Sequence, residues 1–361
     1  SDYQYSASIV LDDVYINGEK TANVRVYVKG SGEINAGDIL SFEGNVQNSK
    51  VSNLGQFNSY DYRDGVRYST EVSYKDIVIA DGYLKFDEMV RLAVKEELYS
   101  NMSETNAGTA YAVLFGDKNG LDDQVKLAFT DSGIVHILAV SGLHVGFLIA
   151  LFYGFMNKCR VNRYVNFAIT TAVIIFYAYL CSFAPSVCRA GIMGIVYMLS
   201  KLLQRKYDSL NSLGISGFII CLISPLTALD IGFQMSVFCV AMIAIINKPL
   251  AILFSRVMPY KIASLLALSI SAQLGVLPMT ISMGSLNLLS PLANLIIVPV
   301  FSIIYPILFI LSFASTFIPI GDLLVVVDWM FTAISKVAIF FSYSPLIVTL
   351  PKFNFSMKSF Y

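Results

Sequence analysis

Eight apolar runs follow one another in the last two thirds of this chain: Ile134–Phe155, Tyr164–Phe183, Ser186–Leu203, Leu210–Ser224, Phe233–Ile246, Ile262–Thr280, Leu292–Ala314 and Leu323–Phe341. A bilayer has a hydrocarbon core about 30 Å thick, which about 20 helical residues cross. No water is present there to bond exposed amides and carbonyls, so continuous apolar runs of this length are driven into helices. The fourth and fifth runs are short for a span and read as tilted, partial or re-entrant. The expected fold class is an α-helical polytopic membrane protein of about eight spans.

Composition agrees, since 56% of the residues are apolar and 14% charged, against roughly 45–50% and 25% in soluble domains. The net charge of zero conceals a split. Residues 1–133 hold 12 Lys+Arg against 21 Asp+Glu, and residues 134–361 hold 13 against 4. An acidic aqueous region therefore precedes a membrane region with basic loops. The first, third and fifth connections carry Lys158, Arg160 and Arg163; Lys201, Arg205 and Lys206; and Lys248, Arg256 and Lys261. The connections between them lack such clusters, so the basic ones are expected on the cytoplasmic side and residues 1–133 outside. Ser1–Val10 has no signal-peptide pattern, and the chain is expected to be a piece of a longer protein.

Residues 1–80 read as β. Ser8–Leu11, Asn23–Val28, Ile39–Val46, Arg67–Val72 and Ile77–Ala80 are short and rich in Val, Ile, Tyr and Phe. Asn17-Gly18, Gly30–Gly32, Gly37-Asp38 and Asp64-Gly65 punctuate them as turns. A small barrel of the OB type, or another small β-sandwich, fits five such strands. Tyr15, Tyr27, Tyr60, Tyr62, Tyr68 and Tyr74 could stack on bases, but the acidic balance opposes phosphate binding. A structural or docking role is favoured. Residues 81–133 read as a helical connector, with apolar stripes at Phe86, Val90, Ala93 and Val94 and at Leu121, Val125, Ala128 and Phe129. Its segments are too short to span and are expected at the membrane surface or under the barrel.

The membrane region, residues 134–361, holds more polar side chains than anchoring requires. Ser132–Gly146 carries both histidines of the chain, His136 and His144, with Ser141 between them. Ser186 opens the third run, and Arg189 lies about a turn into it. A guanidinium at mid-helix costs roughly 2.5–3.5 kcal/mol on insertion scales, so it needs a partner or water. Gln234, Gln273 and Asn294 interrupt the fifth, sixth and seventh runs. Pro185, Pro278, Pro291, Pro299 and Pro306 are expected to break or kink helices. Any of these residues could simply hold helices together; as a set they suggest a hydrated interior. Asp328 is the acidic residue within a run and the obvious candidate if Arg189 has a structural ion pair. Cys181 and Cys188 could pair, though small packed cysteines fit better. Two other classes stay open: an intramembrane hydrolase using Ser141 and His144, three residues apart on one helix face, and a small-molecule transporter with broken helices. No P-loop occurs, no His/Asp metal cluster is evident, and no cofactor is expected.

Several of these segments resemble one family. Gly116-Asp-Lys-Asn-Gly-Leu-Asp-Asp followed by Ser132–Gly146 looks like the signature of ComEC, the DNA-internalisation competence protein, and Ala184-Pro-Ser-Val-Cys-Arg-Ala-Gly-Ile-Met193 is similar to its second motif. Gly232–Ser236 resembles the third, and Gln273–Pro278 with Ala293–Pro299 the fourth. The stretch around Asp61-Tyr62-Arg63 resembles the end of the family's external OB-like domain. The resemblance implies a channel for single-stranded transforming DNA, not an enzyme, with His136, Ser141, His144, Ser186, Arg189, Gln234, Gln273 and Asn294 as candidate pathway residues. It implies single-stranded DNA and cytoplasmic membrane lipids as partners, and allows a DNA receptor, an ATP-driven translocase, a separate nuclease and an oligomer. Family members usually begin with further membrane helices and often carry a metallo-β-lactamase-like domain. Neither is expected on this chain.

Overall fold

The computed structural model describes residues 7–16, 19–29, 34, 38–48, 66–80, 85–283, 285–287, 289–343 and 347–349. The chain divides into two compact units, Ser1–Met89 with Ser224–Asp230, and Val90–Ile223 with Ile231–Tyr361.

The first unit is built on alternation. In β4 (Asn23–Lys29) every second residue is buried, so Val24, Val26 and Val28 form a row on one face, as a period of two demands. β1 (Ala7–Leu11) pairs antiparallel with β4, and β7 (Val66–Ser73) pairs parallel with its other edge. The short β6 (Gln47–Asn48) adds to β7. β2 (Tyr15–Ile16) and β3 (Glu19–Lys20) form a separate hairpin, and β5 (Ile39–Ser41) pairs with β8 (Val78–Ala80). Val72 and Ile77 complete the core, and Leu11, Phe42, Tyr68 and Tyr74 pack against it. The five expected strands are all present, although Ile39–Val46 ends as a strand at Ser41. Tyr68 and Tyr74 are spent on packing, whereas Tyr15 is exposed. Tyr60, Tyr62, Asp61–Arg63 and the turns at 17–18, 30–32 and 64–65 lie outside the described residues.

The remaining described residues are mostly helical: α1 (Phe86–Asn101), α2 (Glu104–Phe115), α3 (Asp123–Asp131), α4 (Gly142–Lys158), α5 (Arg163–Leu180), α6 (Pro185–Leu202), α7 (Ser209–Ile223), α8 (Ile231–Phe254), α9 (Tyr260–Met283), α10 (Ser290–Ser315) and α11 (Leu324–Ser342). Between α9 and α10, β9 (Ser285–Asn287) pairs antiparallel with β10 (Ile347–Thr349). Each expected apolar run is a helix in whole or in part. Among the described residues, five helical segments are long and apolar enough to cross a membrane: Arg163–Leu180, Ile231–Phe254, Tyr260–Ile281, Ser290–Ser315 and Gly321–Ser342. The molecule is a helical membrane protein.

Three expectations need correction. The first run does not form a helix from Ile134: a 3₁₀ turn, Val135–Ile137, comes first, and α4 starts only at Gly142. The fifth run is not short. α8 has 24 residues and continues through Pro249, because the local sequence Asn247-Lys248-Pro249 interrupts apolarity without interrupting the helix. Pro185 and Pro291 start helices rather than break them, since a first-turn proline forfeits no helical bond. Between the two expected stripes, α2 is an enclosed helix. Its residues Asn106–Ala110 and Ala112–Phe115 are buried, and the Tyr177 hydroxyl on α5 donates to the Leu114 carbonyl at 2.9 Å. Small residues make this possible. A Cβ on Gly108 would fall 2.0 Å from the Gly120 carbonyl oxygen.

Candidate functional site

Why α4 begins at Gly142 is visible in two side chains. Ser141 has extended backbone, and its Oγ accepts from the Leu143 amide at 3.3 Å. In return, the Ser141 amide donates to Nδ1 of His144 at 3.0 Å. This is a capping box with histidine in the place usually held by Glu or Gln. Because Nδ1 accepts, the ring proton is assigned to Nε2. The imidazole is fully buried, edge-on to Tyr305 at 4.6 Å and to Phe301 at 5.5 Å, and Nε2 has no hydrogen-bond partner. Ser141 Oγ and His144 Nδ1 are 3.1 Å apart, but the imidazole is already committed to the backbone, and among the described residues no third group bonds its Nε2. The geometry is that of a helix start and gives no support to the hydrolase alternative.

The start of α6 is tied to the same place. Pro185 occupies its first turn, and Ser186 Oγ donates to the Val140 carbonyl at 2.9 Å. One turn on, Arg189 is 2% exposed, and its Nε and Nη1 have no hydrogen-bond partner. Its Nη2 lies 3.6 Å from the point where a Cβ on Gly142 would be. Among the described residues it forms no ion pair with a carboxylate. Further along the helices, a Cβ on Gly194 would strike Ile149 at 2.3 Å, so α4 and α6 cross closely. The structure thus brings Ser141, His144, Ser186 and Arg189 together from two separate stretches of sequence.

Gln273 belongs to a second cluster. Its Nε2 donates to Ser290 Oγ at 2.6 Å and to the Asn287 carbonyl at 3.3 Å. Asn287 Nδ2 donates to the carbonyls of Asp131 at 2.6 Å and Phe341 at 3.3 Å. Four segments are joined there by side chain-to-backbone bonds. Asn294, a turn into α10, is half-buried and its Oδ1 lacks a partner. Gln234 is half-buried on α8, and His136 is exposed on the 3₁₀ turn. Cys181 and Cys188 are free thiols, the first donating weakly to the Leu114 carbonyl at 3.7 Å and the second to the Phe183 carbonyl at 3.2 Å. Asp328 is not the partner of Arg189: its carboxylate accepts from Ser103 and Asn106. Sequence reasoning passed over Ser103, Asn106 and Asn287. The available signal was Asn106 itself, an amide entering a run of Ala, Gly and Val.

Apolar helices able to cross a bilayer, packed around buried donors and a guanidinium with unmet bonds, define a membrane protein whose interior is built to be polar in selected places. The chain belongs to the Competence protein family, whose sequence pattern matches residues 113–359, a range that contains His136, Ser141, His144, Ser186, Arg189, Gln234, Gln273 and Asn294. It is similar to ComE operon protein 3 of Bacillus subtilis (strain 168), with 27% identity over 248 residues, covering 68% of this chain and 31% of that relative. An uncharacterized protein of Aquifex aeolicus is 31% identical over 138 residues, 38% of this chain and 32% of the relative. Recombination protein 2 of Haemophilus influenzae is 25% identical over 137 residues, 36% and 17% respectively. The chain spans about a third or less of the length of these three relatives. No solved structure matches it.

Proposed function

We propose that the helical part of this chain forms a channel through which a single DNA strand crosses the cytoplasmic membrane during natural competence. The observation that carries the reading is the buried, unpaired guanidinium of Arg189 beside the capped start of α4. A strand brings roughly one negative charge per nucleotide, which hydrocarbon cannot accept. A route for it needs donors and few fixed cations, so that phosphates are neutralised without being held. Ser141, Ser186, Gln234, Gln273, Asn294, His136 and His144 are the neutral members of that route, and Arg189 its cation. Family membership supports the same reading. The basic connections at 158–163, 201–206 and 248–261 put those loops in the cytoplasm and residues 1–133 outside. There, an OB-like domain serves for docking. An ATP-driven translocase and a nuclease activity are the further components this reading calls for.

The test is electrical and chemical together. Reconstituted in planar bilayers, the full chain is expected to conduct ions, and oligothymidylate added on the side of residues 1–133 is expected to block the current. A folded, inserted protein that passes neither ions nor oligonucleotide overturns the reading.

A further inference from the structure

Buried charge without a counter-charge is costly, and proteins ordinarily pair it or bond it fully. Among the described residues Arg189 is neither paired nor bonded: it is 2% exposed, Nε and Nη1 lack partners, and no carboxylate forms an ion pair with it. Two acidic residues of the helical region have other partners. Asp208 accepts from the Asn211 amide at 2.8 Å, and Asp328 from Ser103 and Asn106. The guanidinium lies beside the N-terminus of a 17-residue helix, α4, where unserved amides and the helix dipole favour an anion. Ser141 serves the amides of Leu143 and His144, and its bonds do not extend to the Gly142 amide. Glycine at that position also leaves the approach open. An alanine there would place a methyl group 3.3 Å from Ala190 Cβ and 3.6 Å from Arg189 Nη2.

We infer that Arg189 and the first turn of α4 form a site for a phosphate monoanion, occupied by one phosphodiester of the nucleic-acid strand. This rests on the channel reading for the source of the phosphate, though not for the existence of the site. An oxyanion suits it better than a halide, because a planar guanidinium matches two oxygens at once. The Ser186–Val140 bond draws the starts of α6 and α4 together, so a phosphate held there bridges both helices. A strand passing through meets a single strong contact at this depth and neutral donors beyond it.

The experiment uses the full chain in nanodiscs of neutral phosphatidylcholine, with the thermal midpoint followed against added probe. A twelve-residue oligothymidylate is expected to raise the midpoint saturably, and Arg189→Gln is expected to weaken its apparent affinity about tenfold or more. Arg189→Lys should fall between them. Gly142→Ala, which keeps the charge and fills the approach, should weaken binding as well. If Arg189→Gln does not fold, Arg189→Lys and Gly142→Ala carry the test, and unchanged affinity in both folded variants overturns the site. Unchanged affinity in folded Arg189→Gln also overturns it. Stabilisation by inorganic phosphate that Arg189→Gln abolishes, with no response to oligothymidylate, upholds the site and sinks the transport reading. A response confined to nanodiscs containing phosphatidylglycerol assigns the phosphate to a lipid headgroup and overturns the strand as occupant.

Discussion

Asp328 holds Ser103 by two bonds: its carboxylate accepts from the Ser103 amide at 3.0 Å and from the Ser103 hydroxyl at 2.7 Å. The same oxygen takes Asn106 Nδ2 at 2.9 Å, and that amide also reaches Thr332 Oγ1 at 2.8 Å. A carboxylate supplied by α11 therefore caps the start of α2, where unserved amides favour negative charge. Asp328→Ala is expected to lower stability by about 1–3 kcal/mol, read as a fall in thermal midpoint in detergent. Asp328→Asn should cost less. Since Arg189 does not pair with Asp328, the double change Arg189→Gln with Asp328→Asn should be additive to within about 0.5 kcal/mol. Recovery of abundance by the second substitution would reveal a coupling between them.

The box formed by Ser141 and His144 makes its own forecast. Ser141→Ala removes a cap acceptor and should cost about 0.5–2 kcal/mol. Glutamine can return the bond that His144 makes, so His144→Gln should melt above His144→Ala. A fluorophosphonate probe should leave Ser141 unlabelled in the folded protein. Stoichiometric labelling would restore the hydrolase reading.

Gly133 has a φ of +75°, and a Cβ there would lie 2.4 Å from Ser290 Cβ. Both the backbone and the neighbour resist a side chain, and Gly133→Ala should cost about 1–3 kcal/mol. Gly146, on α4, has no atom within 4 Å of its Cβ position. Gly146→Ala should be neutral or stabilising by up to about 1 kcal/mol, because alanine is the better helix former. Equal melting losses for the two substitutions would contradict the close approach at Ser290.

Topology is open to thiol chemistry. In a chain whose five cysteines are replaced by alanine, Asp76→Cys should react with an impermeant maleimide added to intact cells, and Gln204→Cys should react only after permeabilisation. Equal reaction of both from outside would invert or abolish the orientation.

Burial pushes the Tyr111 phenol on α2 up to about 12, with the Asp117 charge adding to the effect. The unfolded phenol titrates near its ordinary value of about 10. The folded state therefore holds the proton more tightly. The stability that this group confers is complete below about pH 10 and is lost as the pH rises toward about 12. Tyr111→Phe should remove that part of the alkaline decline. An absorbance difference between the two proteins near 295 nm should place the phenol's titration above pH 11. A midpoint near 10 would show that Tyr111 is in contact with water.

Much of this architecture is legible in the residues, because bilayer physics narrows the choices. The apolar runs became helices, and alternation in Asn23–Lys29 became the central strand of a sheet. The errors share a cause. Hydropathy reports how a segment would partition alone, so it placed a helix at Ile134, where Ser141 and His144 instead set the start. It also halted the fifth run at residues the helix passes through. The association of Ser186 and Arg189 with Ser141 and His144 could not be read from spacing, since it depends on which helices cross. Nor could the engagement of Asp328 by Asn106, which a 222-residue separation hides from any local pattern.

That separation bears on how the protein is made. α2 has 12 residues, about 18 Å of helix at 1.5 Å per residue, which cannot bridge a bilayer and has no reason to stay in one unaided. The groups that complete it, Asp328 and Thr332, leave the ribosome 222 and 226 residues after Asn106. At roughly 5–20 residues per second that is an interval of about 10–45 s. Through it, the start of α2 lacks the carboxylate that bonds Ser103 and Asn106 in the folded chain. A nascent chain arrested before Asp328 should therefore leave α2 open to protease while α5 is already protected, so that a residue made 222 positions after Asn106 decides when α2 is sealed in.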